Sequence, residues 1–333
     1  MYFIGGVSQD LGRMGYAGKG EFAVIEADEY AGRFLHLTPD AAIITNIEHD
    51  HPDVYPDLTS MMQAFEDFTG KRRGDKRLFL CADDYNSRKL AHKFVHKEPV
   101  FTYGLVADAE WQAKNLEPNL IGGYDFEVYD RSFLTARVAL PLPGLHNVRN
   151  ALGALAMCVA VAPQMKPQAF ADVLSTLKGT NRRFEVKGEV NGITVVDDYA
   201  HHPTEVLATL AAARTRYPDR RIVAVFQPHT YSRTKALLDE FAQAFMDADV
   251  VGLLEIFAAR ETNTFKVSSA DILARMSHKG KFAEILTLNN AATVLKGVLQ
   301  SGDVLLTLGA GDVWKVGEQV LEQRNTDKHR CTC

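Results

Sequence analysis

Two stretches in the first half of the chain crowd carboxylates and imidazoles together. Glu26-Ala27-Asp28-Glu29 follows the apolar run Phe22-Ala23-Val24-Ile25, and Thr45-Asn46-Ile47-Glu48-His49-Asp50-His51 follows Ala41-Ala42-Ile43-Ile44. Acids and histidines this close repel or desolvate one another unless a cation is shared. Oxygen ligands with an occasional imidazole suit a hard divalent cation that holds phosphates, because Mg²⁺ takes one or two protein ligands and keeps its waters. A pair of solvated acidic loops is the plainer alternative. The second half shows the same habit at four places: Asp197-Asp198-Tyr199-Ala200-His201-His202-Pro203, Gln227-Pro228-His229-Thr230-Tyr231-Ser232-Arg233, Glu255-Ile256-Phe257-Ala258-Ala259-Arg260-Glu261 and Gly309-Ala310-Gly311-Asp312. Each follows a short apolar run, and four such ends bearing polar or ionisable groups point to a ligand. The Gly309-Ala310-Gly311 turn could also bring backbone N–H groups to an anion.

These groups need strands to hold them. Residues 22–25 and 41–44 are too short for helices and rich in β-branched or small apolar side chains, so they predict two buried strands. As neighbours in one parallel sheet they would bring Glu26 and His51 to a common crevice at the strands' carboxyl ends. Residues 77–81 predict a third strand, with helices over 59–68, capped by Thr59, and over 87–94. Between 99 and 142 short alternating runs broken by Gly122-Gly123 and Asp130 predict an antiparallel meander on the sheet edge. Asn147 is placed to cap a helix over 148–161, and 167–177 predicts a shorter one. Further on, apolar runs at 193–196, 221–226, 250–254, 282–286 and 303–308 alternate with helical patterns at 204–216, 232–246, 269–276, 291–299 and 313–323. That alternation predicts a parallel, Rossmann-like sheet with right-handed crossovers.

The fold class is therefore α/β. A partial central parallel-sheet domain with an antiparallel meander, residues 1–178, precedes a C-terminal Rossmann-like domain, residues 179–325, and a disordered tail, 326–333. The basic loop Lys178-Gly179-Thr180-Asn181-Arg182-Arg183-Phe184 marks the boundary, and the first twenty residues, with six glycines, read as an irregular lead-in. A length of 333 residues suits two domains, and 46% hydrophobic with 24% charged residues is ordinary for a globular protein. A net charge of −5 with scattered Lys and Arg gives no footprint for nucleic acid or an anionic membrane. No run approaches the ~18 apolar residues of a spanning helix. Met1-Tyr2-Phe3-Ile4 lacks a basic signal region, so a cytoplasmic protein is expected. Four cysteines, Cys81, Cys158, Cys331 and Cys333, are too few for a disulfide framework.

Taken in order, Val24-Ile25-Glu26-Ala27-Asp28-Glu29, Thr45-Asn46-Ile47-Glu48-His49-Asp50-His51, Gly144-Leu145-His146-Asn147-Val148-Arg149-Asn150-Ala151-Leu152, Arg182-Arg183-Phe184 and Asp197-Asp198-Tyr199-Ala200-His201-His202-Pro203-Thr204-Glu205 resemble the Mur ligases, most closely their alanine-adding branch. Tyr199 and the Gln227-Pro228-His229 pattern with Arg233 separate it from the branch that joins a murein tripeptide to the same sugar. The resemblance implies an ATP-dependent ligase of peptidoglycan precursor synthesis, with UDP-N-acetylmuramate and L-alanine as substrates. The lactyl carboxylate would take the γ-phosphate, and the amine would then displace phosphate from the acyl phosphate. By the same resemblance Glu26 and His51 would hold Mg²⁺. His146, Asn147 and Asn150 would meet the adenine end of ATP, while Arg183 and Asp198 would reach its phosphates and ribose. Tyr199, His201, His229 and Arg233 would surround the amino acid, with Glu26, His51, Arg183, Asp198 and His201 forming the catalytic set.

The sequence departs from that family at three places. No G-x-x-x-x-G-K-[ST] phosphate loop occurs, nor does a UDP-binding domain, so the expectation is the later part of a ligase, silent in catalysis by itself. Ala31 stands where the alanine-adding branch carries an acid. Phe65 lies where other branches carry a carbamylated lysine, an absence shared with the alanine-adding branch. Two other readings compete: a metallohydrolase built on His49, Asp50, His51, His201 and His202, and a non-catalytic nucleotide-binding module.

Overall fold

The computed structural model describes residues 1–74, 76–94, 99–276 and 282–330. Two compact units, 1–178 and 179–333, divide the chain.

The first unit contains, in order, β1 (Tyr2–Phe3), β2 (Gly15–Tyr16), β3 (Val24–Ile25), a 3-10 segment (Tyr30–His36), β4 (Ala41–Ile44), α1 (Leu58–Gly70), β5 (Arg77–Cys81), α2 (Tyr85–Phe94), β6 (Val100–Gly104), β7 (Trp111–Pro118), β8 (Tyr124–Asp130), β9 (Phe133–Leu140), α3 (Leu145–Val161) and α4 (Pro167–Leu174). Its main sheet has the order β4-β5-β6-β7-β8-β9. Pairing is parallel from β4 through β7 and antiparallel only from β7 onward, so the expected meander begins one strand later than its alternation suggested. Side chains alternate between the two faces. Leu78 and Leu80 pack with Met61, Phe68 and Leu90 of α1 and α2, while Phe79 and Cys81 pack with Val148, Leu152 and Leu155 of α3. Helix α3 lies so close that a methyl group on Gly153 would come within 2.7 Å of the Tyr103 ring.

Several local expectations are corrected. The stretch at 22–25 forms only the two-residue β3, which pairs with β1 in a separate sheet of order β2-β1-β3. Val24 and Ile25 are 62% and 42% exposed rather than buried. The cause is that the glycine-rich lead-in supplies β3's partners: Val24 N–H donates to Met1 O at 3.0 Å and Glu26 N–H to Phe3 O at 2.8 Å. Helix α1 is capped by Asp57, not Thr59, because Asp57 Oδ1 accepts Ser60 N–H at 2.8 Å in a reciprocal capping box. Helix α3 starts before Asn147, behind Gly144 at φ 91°, a conformation glycine tolerates. Asn147 is inside its first turn and donates Nδ2–H to Pro143 O at 2.7 Å.

The second unit contains β10 (Glu185–Val190), β11 (Ile193–Asp198), α5 (Pro203–Arg216), β12 (Ile222–Phe226), α6 (Tyr231–Ala236), α7 (Leu238–Gln243), β13 (Val250–Leu254), α8 (Ser269–Arg275), β14 (Phe282–Leu286), α9 (Ala291–Val298), β15 (Val304–Leu308) and α10 (Trp314–Arg330). The sheet order is β10-β11-β15-β12-β13-β14, parallel except for the edge strand β10. Central strands buried on both faces read as continuous apolar runs: Ala224 and Leu306 pack with Leu210, Phe241 and Phe245, Val223 and Leu305 with Leu295 and Val316. The helix expected over 232–246 breaks at Leu237 (φ −118°, ψ 29°) into α6 and α7. Helix α10 continues to Arg330, into the stretch expected to be disordered. Cys331 and Cys333 lie outside the described residues. Among the described residues no helix is long and apolar enough to cross a membrane.

Candidate active site

The chain runs from β11 through β12 and β13 to β14 and then returns to insert β15 between β11 and β12, so the carboxyl ends of these three strands border the crevice where α/β sheets bind ligands. Here the structure brings together the four residues expected around the amino acid. Tyr199 and His201 meet edge to face at 5.2 Å, His201 and His229 at 5.7 Å, and Arg233 donates from Nη1 to His229 Nδ1 at 3.2 Å. Arg233 is buried, 4% exposed, while His229 is half-buried. An arginine only donates, so neutral His229 carries its proton on Nε2.

Three neighbours of this row escaped the sequence reading. Phe257 stacks on His229 at 5.7 Å and 14° between planes, brought there by backbone hydrogen bonds on either side: Phe257 N–H to Pro228 O at 2.8 Å and Thr230 N–H to Phe257 O at 2.9 Å. Arg182 lies over the Tyr199 ring at 5.0 Å and is anchored by Asp197 Oδ2 and Gly309 O at 2.8 and 2.7 Å. Glu205 accepts the N–H groups of His201 and His202 at 2.9 and 3.1 Å, and its carboxylate lies 3.7 Å from Arg183. Burial pushes Glu205 up, but His201 and Arg183 together hold it below the usual carboxylate range. It stands three residues after His202, the capping-box spacing that could have revealed it.

Arg183 is half-exposed and lies 5.5 Å from the centre of the Tyr199 ring. Asp198, expected at ATP, is turned inward instead. Its two oxygens accept Phe184 N–H at 2.8 Å and Ala200 N–H at 2.7 Å, and burial pushes its carboxyl up to about 6 against the pull of those donors and of Arg183. The Gly309-Ala310-Gly311 turn is accounted for by packing, since a methyl group on Gly311 would meet Phe257 at 2.9 Å.

In the first unit the structure pairs His51 with a different acid from the one expected. His51 Nε2 lies 3.1 Å from Glu29 Oε1 and 3.6 Å from Asp50 Oδ2, and its ring is 4.9 Å from Tyr30. Glu26 is exposed and accepts Gly5 N–H at 2.6 Å. The expectation that the two end neighbouring strands of one sheet fails, because β3 and β4 belong to different sheets. His51 itself sits at φ 54°, and the segment before it is held from the turn after β5 and the first turn of α2: Asp84 Oδ1 accepts Ile47 N–H at 3.2 Å and Asn86 donates to Ile47 O at 2.7 Å. Glu26, Asp28, Glu29 and Asp50 offer the hard oxygens that suit Mg²⁺, which needs only one or two of them. Among the described residues no group of three His, Cys, Asp or Glu side chains is arranged to hold a metal. His146 and Asn150 lie with Asn147 on the first turns of α3, Asn150 exposed and His146 half-buried. Arg149, between them, is tied to Asp83 at 2.9 Å.

Residues 6–158 match the Mur ligase middle domain, and residues 182–311 match the Mur ligase, glutamate ligase domain. The chain is 42% identical over 341 residues to a UDP-N-acetylmuramate–L-alanine ligase of Roseiflexus sp. (strain RS-1), covering 96% of this chain and 71% of that protein. Its fold is similar to the crystal structure of a UDP-N-acetylmuramate–alanine ligase from Thermotoga maritima, with a TM-score of 0.76 at 26% identity over 98% of this chain and 69% of that one. A murein peptide ligase from Psychrobacter arcticus is similar at a TM-score of 0.68 and 25% identity, over 97% and 71% of the two chains.

Proposed function

The chain belongs to the Mur ligase family of ATP-dependent ligases, and from that premise we propose that its own residues serve the joining of L-alanine to the lactyl carboxylate of UDP-N-acetylmuramate. The observation that carries this reading is the continuous row Tyr199–His201–His229–Arg233. A guanidinium removed from water makes its strongest bonds to a carboxylate. Beside it, the imidazoles and the Tyr199 and Phe257 rings offer walls suited to a small α-amino acid. Both steps of the reaction build charge on oxygen, first as the sugar carboxylate takes the γ-phosphate and then as the amine attacks the acyl phosphate. Fixed donors and cations therefore supply most of the assistance.

Arg183, exposed beside Tyr199, is the side chain we assign to the ATP phosphates, with Arg182 and Glu205 holding its surroundings. Asp198 serves by fixing the backbone at Ala200, next to Tyr199, and at Phe184, next to Arg183. His146, Asn147 and Asn150 are assigned to the adenine end of ATP. Glu26 and His51, the latter oriented by Glu29, are the groups that would hold Mg²⁺, whose charge neutralises the phosphates when bound. ATP and a nucleotide sugar as substrates put the work in the cytoplasm.

The test is amino-acid choice. Calorimetric titration of the 333-residue chain with L-alanine, D-alanine, L-valine and the murein tripeptide should give binding for L-alanine above the others. Preference for the tripeptide would assign the chain to the branch that recycles it, and binding of none would remove the row from substrate recognition.

A further inference from the structure

The turn that carries both His229 and Arg233 is held in a strained form. Thr230 has φ 62° and ψ 147°, a region essentially reserved for glycine, and a β-branched residue stays there only where its surroundings over-determine it. Part of that restraint is backbone: Thr230 N–H donates to Phe257 O, and Thr230 O accepts Thr234 N–H at 3.2 Å and the Thr234 hydroxyl at 2.7 Å. The rest comes from one side chain beyond β13. Glu261 accepts Ser232 N–H on Oε2 at 2.9 Å and the Ser232 hydroxyl on Oε1. The Ser232 hydroxyl in turn lies 3.4 Å from that of Thr230, whose Oγ1 accepts Arg233 N–H at 3.4 Å.

We propose that Glu261 is a positioning residue for the amino-acid site: by taking both donors of Ser232 it keeps Thr230 in its strained turn and so aims Arg233 at His229. The assignment rests on the reading of the row given above, but the mechanical part stands on the contacts alone. A carboxylate offers one acceptor oxygen to each of the two donors of Ser232. A glutamine keeps one acceptor and can give its amide to the hydroxyl oxygen, whereas alanine supplies neither.

The experiment is ¹⁵N NMR of the histidine rings in the 333-residue chain, with L-alanine titrations, for wild type, Glu261→Gln, Glu261→Ala and Ser232→Ala. In the wild type His229 Nδ1 should resonate as an unprotonated acceptor. In Glu261→Ala that signal should move toward the averaged position of a free imidazole while His36 and His92 stay in place. L-alanine binding should weaken roughly tenfold or more, the scale of one charge-assisted hydrogen bond. Ser232→Ala should act in the same direction, and Glu261→Gln should restore the His229 signal. An unmoved His229 signal in both alanine variants, or loss of every histidine signal with no rescue by glutamine, would overturn the proposal. A wild type that binds no L-alanine, with His229 still shifted in Glu261→Ala, would sink the amino-acid reading and keep the positioning one.

Discussion

Asp198 Oδ2 accepts the backbone N–H of Phe184 at 2.8 Å, and Phe184 holds a left-handed φ of 49° to deliver it. A carboxylate fixed at the end of β11 thus ties down the segment that carries Arg182 and Arg183.

The buried carboxyl of Asp198 should titrate near 6 in ¹³C NMR, since burial pushes it up to about 6 despite two backbone donors and Arg183. Its folded value is raised, so its contribution to stability is fully present below the unfolded value and is lost as pH rises through the folded one. Urea unfolding of wild type against Asp198→Asn should show a difference that falls by about 3 kcal/mol between roughly pH 4 and pH 7. A flat difference would mean that Asp198 ionises normally.

Removing the buried guanidinium should strike the amino acid and spare the nucleotide. Arg233→Ala should weaken L-alanine roughly 100-fold, the scale of two charge-assisted hydrogen bonds, and change ATP binding by no more than about twofold. Calorimetry with each ligand decides it. An unchanged affinity for L-alanine would take Arg233 out of the site.

Gly153→Ala should destabilise the first unit by about 1–3 kcal/mol, the usual cost of forcing extra volume into a packed core. The new methyl would sit 2.7 Å from the Tyr103 ring, which cannot swing away because its hydroxyl donates to Ile44 O at 3.1 Å. Ile44 ends the strand that leads to His51, so the damage should extend to that segment. A melt that leaves the transition in place would show that α3 lifts freely from the sheet.

Phosphate release is the fourth expectation. The backbone donors and lysine of a glycine-rich phosphate loop both bind the phosphates and stabilise their transfer, and the 333 residues contain no G-x-x-x-x-G-K-[ST]. The 333-residue chain mixed with ATP, Mg²⁺, UDP-N-acetylmuramate and L-alanine should release phosphate at the background rate. Alanine-dependent turnover would show that other groups of the chain replace that loop.

The second unit was legible because its inner strands β11, β12, β13 and β15 are buried on both faces and so advertise themselves as unbroken apolar, largely β-branched runs, with the row from Tyr199 to Arg233 directly after β11 and β12. Strand β10 was missed because it is an edge strand with mixed, partly charged side chains, Glu185, Lys187 and Glu189 among them. The partner of His51 could not be read, since Glu26, Asp28 and Glu29 lie within four residues and only the tertiary path selects Glu29. Asp198 was assigned outward for a similar reason: its sequence neighbours are functional in type, and nothing in the order of residues announces the two backbone donors that turn it inward. Asn147 was taken as a cap because amides cap helices, whereas Gly144 had already turned the chain.

The small sheet β2-β1-β3 has strands of two residues each and leaves Phe3, Tyr16, Val24 and Ile25 exposed. With so few buried contacts, its hydrogen bonds open by local fluctuation rather than by unfolding of the unit. Amides at Tyr2, Val24 and Glu26 should therefore exchange with deuterium far sooner than those of Leu78 or Leu80 in β5. Glu26, whose carboxylate accepts the N–H of Gly5 just past β1, would then shed its anchor on a timescale of its own, separate from the clock that governs Glu29 and His51.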